Sequence, residues 1–179
     1  MATFKELTDY FQQVGASDVG HTDKTYLAHG IGVRNDLKQW GCDDDVANAG
    51  LFHSIYGTER FQGFALPLEK RGEVQSLIGE RAEWLAWLNC AMDRSHFDRA
   101  ARQDSGPYHV LNRFTGEEVD VSDQDFEDLC VIHLCDWLEQ VPRSKDWTYR
   151  RASYRNLAER MGGVGLESFD RVYALDGEQ

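Results

Sequence analysis

Hydrophobic residues recur every three or four positions over most of the chain, the spacing that places them on one face of an α-helix. The first such stripe, within residues 3–14, consists of Phe4, Leu7, Tyr10 and Phe11. Similar stripes predict further helices over residues 25–40, 46–55, 71–93, 123–141 and 147–161. The pattern therefore predicts a mainly α protein whose helices turn their apolar faces to a shared core.

One stretch alternates polar and apolar residues instead, which is typical of β-strands. Residues 108–114 and 117–121 flank a Gly-containing turn, so we expect one small β-hairpin there. Residues 57–69 show no helical period and are expected to form a loop. No Pro- or Gly-rich linker interrupts the chain, and we therefore expect a single domain over residues 1–179.

Composition and charge narrow the classes of function. The chain is 41% hydrophobic, as in a folded protein, and its net charge of −12 repels nucleic acid and anionic lipid. No stretch approaches the ~20 apolar residues of a membrane span, and the four cysteines form no CxxC pair. We expect a cytoplasmic protein that acts on a small molecule and binds neither nucleic acid nor membrane. The sequence is also compatible with a homodimer.

Two histidines in neighbouring predicted helices are the main chemical signal. His29 lies within the helix 25–40, and His53 lies at the end of the next one, directly after Ala49-Gly50-Leu51-Phe52. A helix, a tight turn and a second helix form an antiparallel pair, in which the two imidazoles would face each other. Neutral imidazoles are good ligands of divalent transition metals. Because a lone histidine on an apolar stripe is usually a core residue, the pair matters more than either histidine alone.

These residues resemble the opening signature of the HD superfamily, a histidine in one helix followed by an Ala/Leu-rich run that ends in His-Asp. The separation of His29 and His53 is similar to that in the alarmone (ppGpp) hydrolases and the HD-type diiron oxygenases. Residues 21–29, 50–59 and 112–117 also resemble an uncharacterised HD-domain-like family. The resemblance implies an HD-domain-like helical bundle, but it brings no established activity.

The resemblance also implies a third metal ligand on a later helix. The best match is Asp136, within the apolar segment 131–138. The chain departs from the signature at Ser54, which replaces the metal-binding aspartate. The remaining set of His29, His53 and Asp136 has the composition of a mononuclear non-haem Fe(II) site. We therefore expect a divalent metal, preferably Fe(II), with Mn²⁺ or Zn²⁺ as alternatives.

Further residues are candidates for the site by their position near these motifs. His21 and Glu59 correspond to places where the alarmone hydrolases carry a basic substrate-facing residue and acidic catalytic residues. An arginine that turns inward would bind a carboxylate or phosphate with two hydrogen bonds. His133, one turn before Asp136, is a fourth ligand, a partner that orients Asp136, or a core residue. The expected catalytic residues are His21, Tyr56 and Glu59, and the expected substrate-binding residues are Arg94 and Arg113.

Three functions are compatible with these features. The main expectation is a non-haem iron oxygenase or oxidase acting on a small polar molecule, because Ser54 removes the aspartate of the HD hydrolases while a triad remains. The first alternative is a metal-dependent phosphohydrolase of a nucleotide or alarmone. The lack of a Lys/Arg cluster near His53 counts against it. The second alternative is a non-catalytic HD-like binding domain without metal.

Overall fold

Nine α-helices and two short antiparallel strand pairs make up the part of the chain that the computed structural model describes, residues 2–21 and 23–177. The helices are α1 (Phe4–Gln13), α2 (Tyr26–Gln39), α3 (Asp44–Leu51), α4 (Arg71–Ile78), α5 (Glu80–Ala91), α6 (Arg94–Ala100), α7 (Asp123–Ser144), α8 (Arg151–Met161) and α9 (Gly163–Tyr173). The strands are β1 (Gly20–His21), β2 (Lys24–Thr25), β3 (Tyr108–Leu111) and β4 (Glu118–Val121). The predicted mainly α class with a hairpin at β3–β4 is confirmed.

The helices that build the candidate site begin at side-chain caps. A side-chain oxygen of the preceding residue accepts a backbone N–H of the first turn in each case, which satisfies a donor that the helix itself leaves unpaired. The capping residues are Thr25 for α2, Asp43 for α3, Asp93 for α6 and Ser122 for α7. The start of each of these helices is therefore encoded locally.

Two glycines allow α2 and α3 to pack closely. A Cβ atom on Gly30 would lie 2.6 Å from the backbone carbonyl oxygen of Leu51, and one on Gly50 would lie 2.2 Å from Cδ1 of Leu37. The long helix α7 packs against α2, α3 and α5, and its buried middle contributes Leu134 to the core. This packing brings α2, the end of α3 and the middle of α7 together.

The substitution Gly30→Ala is expected to lower the free energy of unfolding by about 1–3 kcal/mol, because the new methyl group meets backbone that cannot rotate away. Gly72→Ala in α4 is the matched control, since its methyl group would meet nothing within 4 Å. The control should leave stability unchanged or raise it by up to about 1 kcal/mol. Urea denaturation of both variants measures the difference, and a Gly30→Ala protein as stable as the wild type would contradict the close packing.

The structure corrects several element boundaries. The predicted helix 71–93 is divided into α4 and α5 at Gly79, whose φ of +95° is outside the helical region and redirects the chain. The helix predicted to end before Pro142 continues through it to Ser144. Helix α3 ends at Leu51, so His53 lies in the following turn rather than within a helix. The sequence prediction missed α6, α9 and the β1–β2 pair.

In the described ranges, no helix combines the length and the apolar character needed to cross a membrane.

Candidate metal centre

Three buried side chains from distant parts of the sequence converge at one point. Nε2 of His29, in α2, lies 3.0 Å from Oδ1 of Asp136, in α7. Nε2 of His53, in the turn after α3, lies 3.3 Å from each of these two atoms. The three candidate ligand atoms all lie within 4.8 Å of one another, close enough to share one metal ion.

The other ring nitrogen of each histidine is held by an acceptor. Nδ1 of His53 donates to the carbonyl oxygen of Gly50 at 2.7 Å. Nδ1 of His29 donates to the carboxylate of Glu139 in a short hydrogen bond. Since the Nδ1 atoms donate to these acceptors, the Nε2 atoms, which face Asp136, are the potential ligand atoms. Metal-binding histidines are usually held in place by second hydrogen bonds of this kind.

The electrostatic field at this point favours a cation. Burial alone disfavours a charged His29, but the carboxylates of Asp136 and Glu139 outweigh it and raise the pKa of His29 to about 9. Burial would likewise raise the pKa of Asp136, yet the neighbouring His53 and His29 hold it well below its ordinary value. A proton or a divalent cation can supply the positive charge that this field favours, and the nitrogen and oxygen donors suit Fe²⁺, Mn²⁺ or Zn²⁺.

A cavity of about 300 Å³ adjoins the cluster. His53 and Asp136 lie on its wall together with Ser54, whose hydroxyl donates to the Tyr26 hydroxyl at 3.2 Å. Because residue 54 is a serine, it adds no carboxylate to the cluster. Aromatic side chains, among them Trp137, form another part of the wall. The cavity is large enough for a small substrate next to the candidate ligands.

Arg94, at the start of α6, places a buried positive charge in the wall of the same cavity. The residue is 6% exposed, and its guanidinium donates to the hydroxyls of Tyr149 at 2.8 Å and Thr58 at 3.5 Å. No carboxylate of the described residues forms an ion pair with this guanidinium. Since a buried guanidinium favours an anionic partner, Arg94 is available to an anionic group of a ligand.

A second arginine, Arg60, lines the cavity nearer to solvent. Its guanidinium pairs with Asp146 at 2.8 Å and stacks on the ring of Tyr149 at 4.0 Å. The sequence did not reveal Arg60, because the pattern of a loop does not show which of its side chains turns towards a cavity. The positive charge near the two histidines thus comes from residues that are far apart in sequence.

Three of the expected site residues lie elsewhere. The hydroxyl of Tyr56 donates to the buried carboxylate of Glu83 at 2.9 Å. The carboxylate of Glu59 accepts the backbone N–H of Arg94 at 2.9 Å. The guanidinium of Arg113 donates to two backbone carbonyl oxygens, each at 2.8 Å. None of the three lines the cavity; each makes contacts within the fold instead.

Two further histidines, His21 and His133, were candidates for the site. His21 lies in β1, but its side chain is outside the described parts of the structure. His133 is fully buried and does not join the cluster as a fourth ligand. Its Nδ1 lies 3.2 Å from the side-chain oxygen of Asn89, and its Nε2 lies 2.9 Å from Nη1 of Arg150, which donates to it. His133 is therefore a core residue with both ring nitrogens satisfied.

Stability should fall in acid because of His133. Burial and the positive charges of Arg150 and Arg94 hold its pKa well below the ordinary value, so the folded state keeps it neutral. The unfolded chain takes up this proton below a pH of about 6.5, and the free energy of unfolding then falls by up to about 1.4 kcal/mol per pH unit. Urea denaturation in EDTA at pH 7 and pH 5 measures this loss. The His133→Gln variant should show a smaller loss, and an equal loss would contradict the assignment.

Comparisons with known proteins show which fold the chain shares. Residues 10–94 match the model of a domain of unknown function, DUF6817, a stretch that contains His29, His53 and Arg94 but not Asp136. No curated protein matches the sequence. The chain is similar to a solved structure, with a TM-score of 0.58 and 18% sequence identity. The match covers 100% of this chain and 98% of the chain in that structure. It is a metazoan orthologue of SpoT, described as hydrolysing ppGpp with a role in starvation responses. The fold is HD-like. At this identity, the likeness extends to the fold alone.

Proposed function

We propose that the protein is a metal-dependent phosphohydrolase that acts on a phosphate ester of the nucleotide or alarmone class. The observation that supports this most is that two members of the cluster, His53 and Asp136, line the same cavity as Arg94. A metal ion and an arginine side by side are a common means of binding a phosphoryl group and stabilising its developing charge. The fold shared with a ppGpp-hydrolysing protein supports the same class.

The roles of the residues follow from their positions. Nε2 of His29, Nε2 of His53 and Oδ1 of Asp136 would hold a divalent metal ion, which would supply Lewis-acid chemistry for the hydrolysis of a phosphate ester. Arg94 binds the phosphate oxygens, and its hydrogen bonds to two hydroxyls fix its plane before the substrate arrives. Arg60, which is paired with Asp146, lines the same cavity nearer to solvent and offers further N–H donors to an anionic substrate.

Phosphate release from a panel of mono-, di- and triphosphorylated nucleotides and alarmones tests the proposal. The Mn²⁺-loaded protein should release phosphate or pyrophosphate, EDTA should abolish the release, and added Mn²⁺ should restore it. His53→Ala should be inactive, whereas His109→Ala, in an exposed pair with Asp120 on the β3–β4 hairpin, should be fully active. A metal-loaded protein that releases nothing from the whole panel would overturn the proposal.

An iron-dependent oxygenase is the second candidate. Its support is the composition of two histidines and one carboxylate, together with Ser54 in place of a second carboxylate. The buried Arg94 and the likeness of fold favour the phosphohydrolase. Oxygen consumption by the Fe(II)-loaded protein, without phosphate release, would reverse this order. A chain that binds no metal would instead favour a non-catalytic binding domain.

A further inference from the structure

We propose that Glu139 is the positioning residue of the metal centre, holding the His29 imidazole so that its Nε2 is directed at the metal, and that helix α2 keeps Gly32 to leave room for it. The inference rests on the metal site of the proposed function, but not on the reaction performed there. It assigns a role to a buried carboxylate that the sequence motifs do not include.

The position of Glu139 in α7 sets its relation to the cluster. Glu139 follows Asp136 by three residues, so both carboxylates lie on one face of the helix. Asp136 contacts Nε2 of His29, and Glu139 accepts a hydrogen bond from Nδ1–H on the opposite side of the same ring. The imidazole is therefore held between two carboxylates of one rigid helix, which fixes its tautomer and its orientation.

Cationic donors restrain both oxygens of the Glu139 carboxylate. Nζ of Lys24, in β2, donates to Oε1 at 2.7 Å, and Nη2 of Arg143, one turn further along α7, donates to Oε2 at 2.5 Å. The carboxylate of Glu139 is 6% exposed and would be costly to bury without such partners. Because these donors hold both oxygens away from the cluster, Glu139 acts on the metal through His29 and is not itself a ligand.

Gly32 is an independent sign that this carboxylate has a required place. A Cβ atom on Gly32 would lie 2.6 Å from Oε1 of Glu139 and 3.0 Å from its Cδ. Glycine inside a helix costs about 1 kcal/mol relative to alanine, and the space it leaves in α2 is filled by the Glu139 side chain. A larger residue at this position would force the Glu139 carboxylate to shift, which should weaken its hydrogen bond to His29.

Metal affinity in the absence of substrate tests the role of Glu139. Mn²⁺ or Zn²⁺ is titrated against a fluorescent chelator in the wild type and in Glu139→Gln and Gly32→Ala, with folding checked by circular dichroism. Both variants should bind metal about 10–100-fold more weakly, as expected when the partner of a ligating histidine is lost. Glu83→Gln is the matched control, because the Glu83 side chain is also largely inaccessible and pairs with Arg71, outside the metal cluster. This control should bind metal within twofold of the wild type.

The ring nitrogens of His29 give a second measurement, one that a general loss of packing would not produce. In ¹⁵N spectra of the metal-free protein, the Nδ1–H signal of His29 should shift in Glu139→Gln and stay unchanged in Glu83→Gln. A Glu139→Gln protein that keeps wild-type metal affinity overturns the inference, even if the wild type hydrolyses phosphate esters. A wild type that shows the expected dependence on Glu139 but releases no phosphate overturns only the proposed function. A wild type that binds no metal overturns both.

Discussion

Asp136→Asn should lose at least about 100-fold in metal affinity, more than loss of a partner behind a ligand usually costs. The carboxylate of Asp136 lies 3.0 Å from Nε2 of His29 and 3.3 Å from Nε2 of His53, and it contributes the negative charge of the cluster. A neutral amide of the same shape removes this charge and is a weaker ligand. Hydrolysis of the substrate should fall with the metal, because the remaining histidines do not hold the ion in place.

Metal content and thermal stability together measure this loss. Elemental analysis after gel filtration should find metal in the wild type and none in Asp136→Asn. Since a metal that binds only the folded state stabilises it, EDTA should lower the melting temperature of the wild type and leave that of the variant unchanged. Asp120→Asn, which alters an exposed His–Asp pair with His109, is the control and should behave as the wild type. Stoichiometric metal in Asp136→Asn would exclude this residue as a ligand.

Arg94→Met should lower kcat/KM for phosphate esters by about 10²–10³-fold, the usual cost of removing one donor to a developing anionic charge. Methionine has a similar length but neither charge nor donors. Arg94 does not contact the three candidate ligands, so metal affinity should stay within twofold of the wild type. The combination of lost activity and retained metal separates a role in substrate binding from a role in holding the metal.

Arg99→Met is the matched control, because Arg99 lies on the exposed face of the same helix, α6. Steady-state kinetics and metal titration are measured on both variants. Arg94→Lys retains the charge but not the paired donors, and it should recover only part of the activity. Phosphate-ester hydrolysis by Arg94→Met within threefold of the wild type would mean that the buried guanidinium has a purely structural role.

The sequence predicts the helices with long apolar stripes well, and it fails where backbone geometry or helix length decides. Helices α1, α2 and α7 follow the predicted stripes closely, and the hairpin at β3–β4 follows from alternation around a turn. The break at Gly79 does not disturb the apolar period, so the pattern shows one helix where the structure has two. Helix α6 has only seven residues, too few for a stripe to stand out.

The candidate site was predictable only where a local motif marks it. His29, His53 and Asp136 come together as expected from the resemblance to the HD signature, and Arg94 lies in the adjoining cavity. Glu139 was missed, although its spacing of three residues from Asp136 on a predicted helix is a signal that could have revealed it. Arg60 gave no such signal, because only the folded path of its loop brings it to the cavity.

The continuity of α7 limits how this site can change over time. Each residue of an α-helix is rotated by about 100° from the one before it, since a turn takes 3.6 residues. One inserted or deleted residue between Ser122 and His133 would turn Asp136, the Glu139 carboxylate and the core residue His133 out of register at once. The loop that contributes Arg60 has no such constraint. Substrate preference can therefore diverge through changes in loop length, whereas the metal centre tolerates substitution but not a change in the length of this helix.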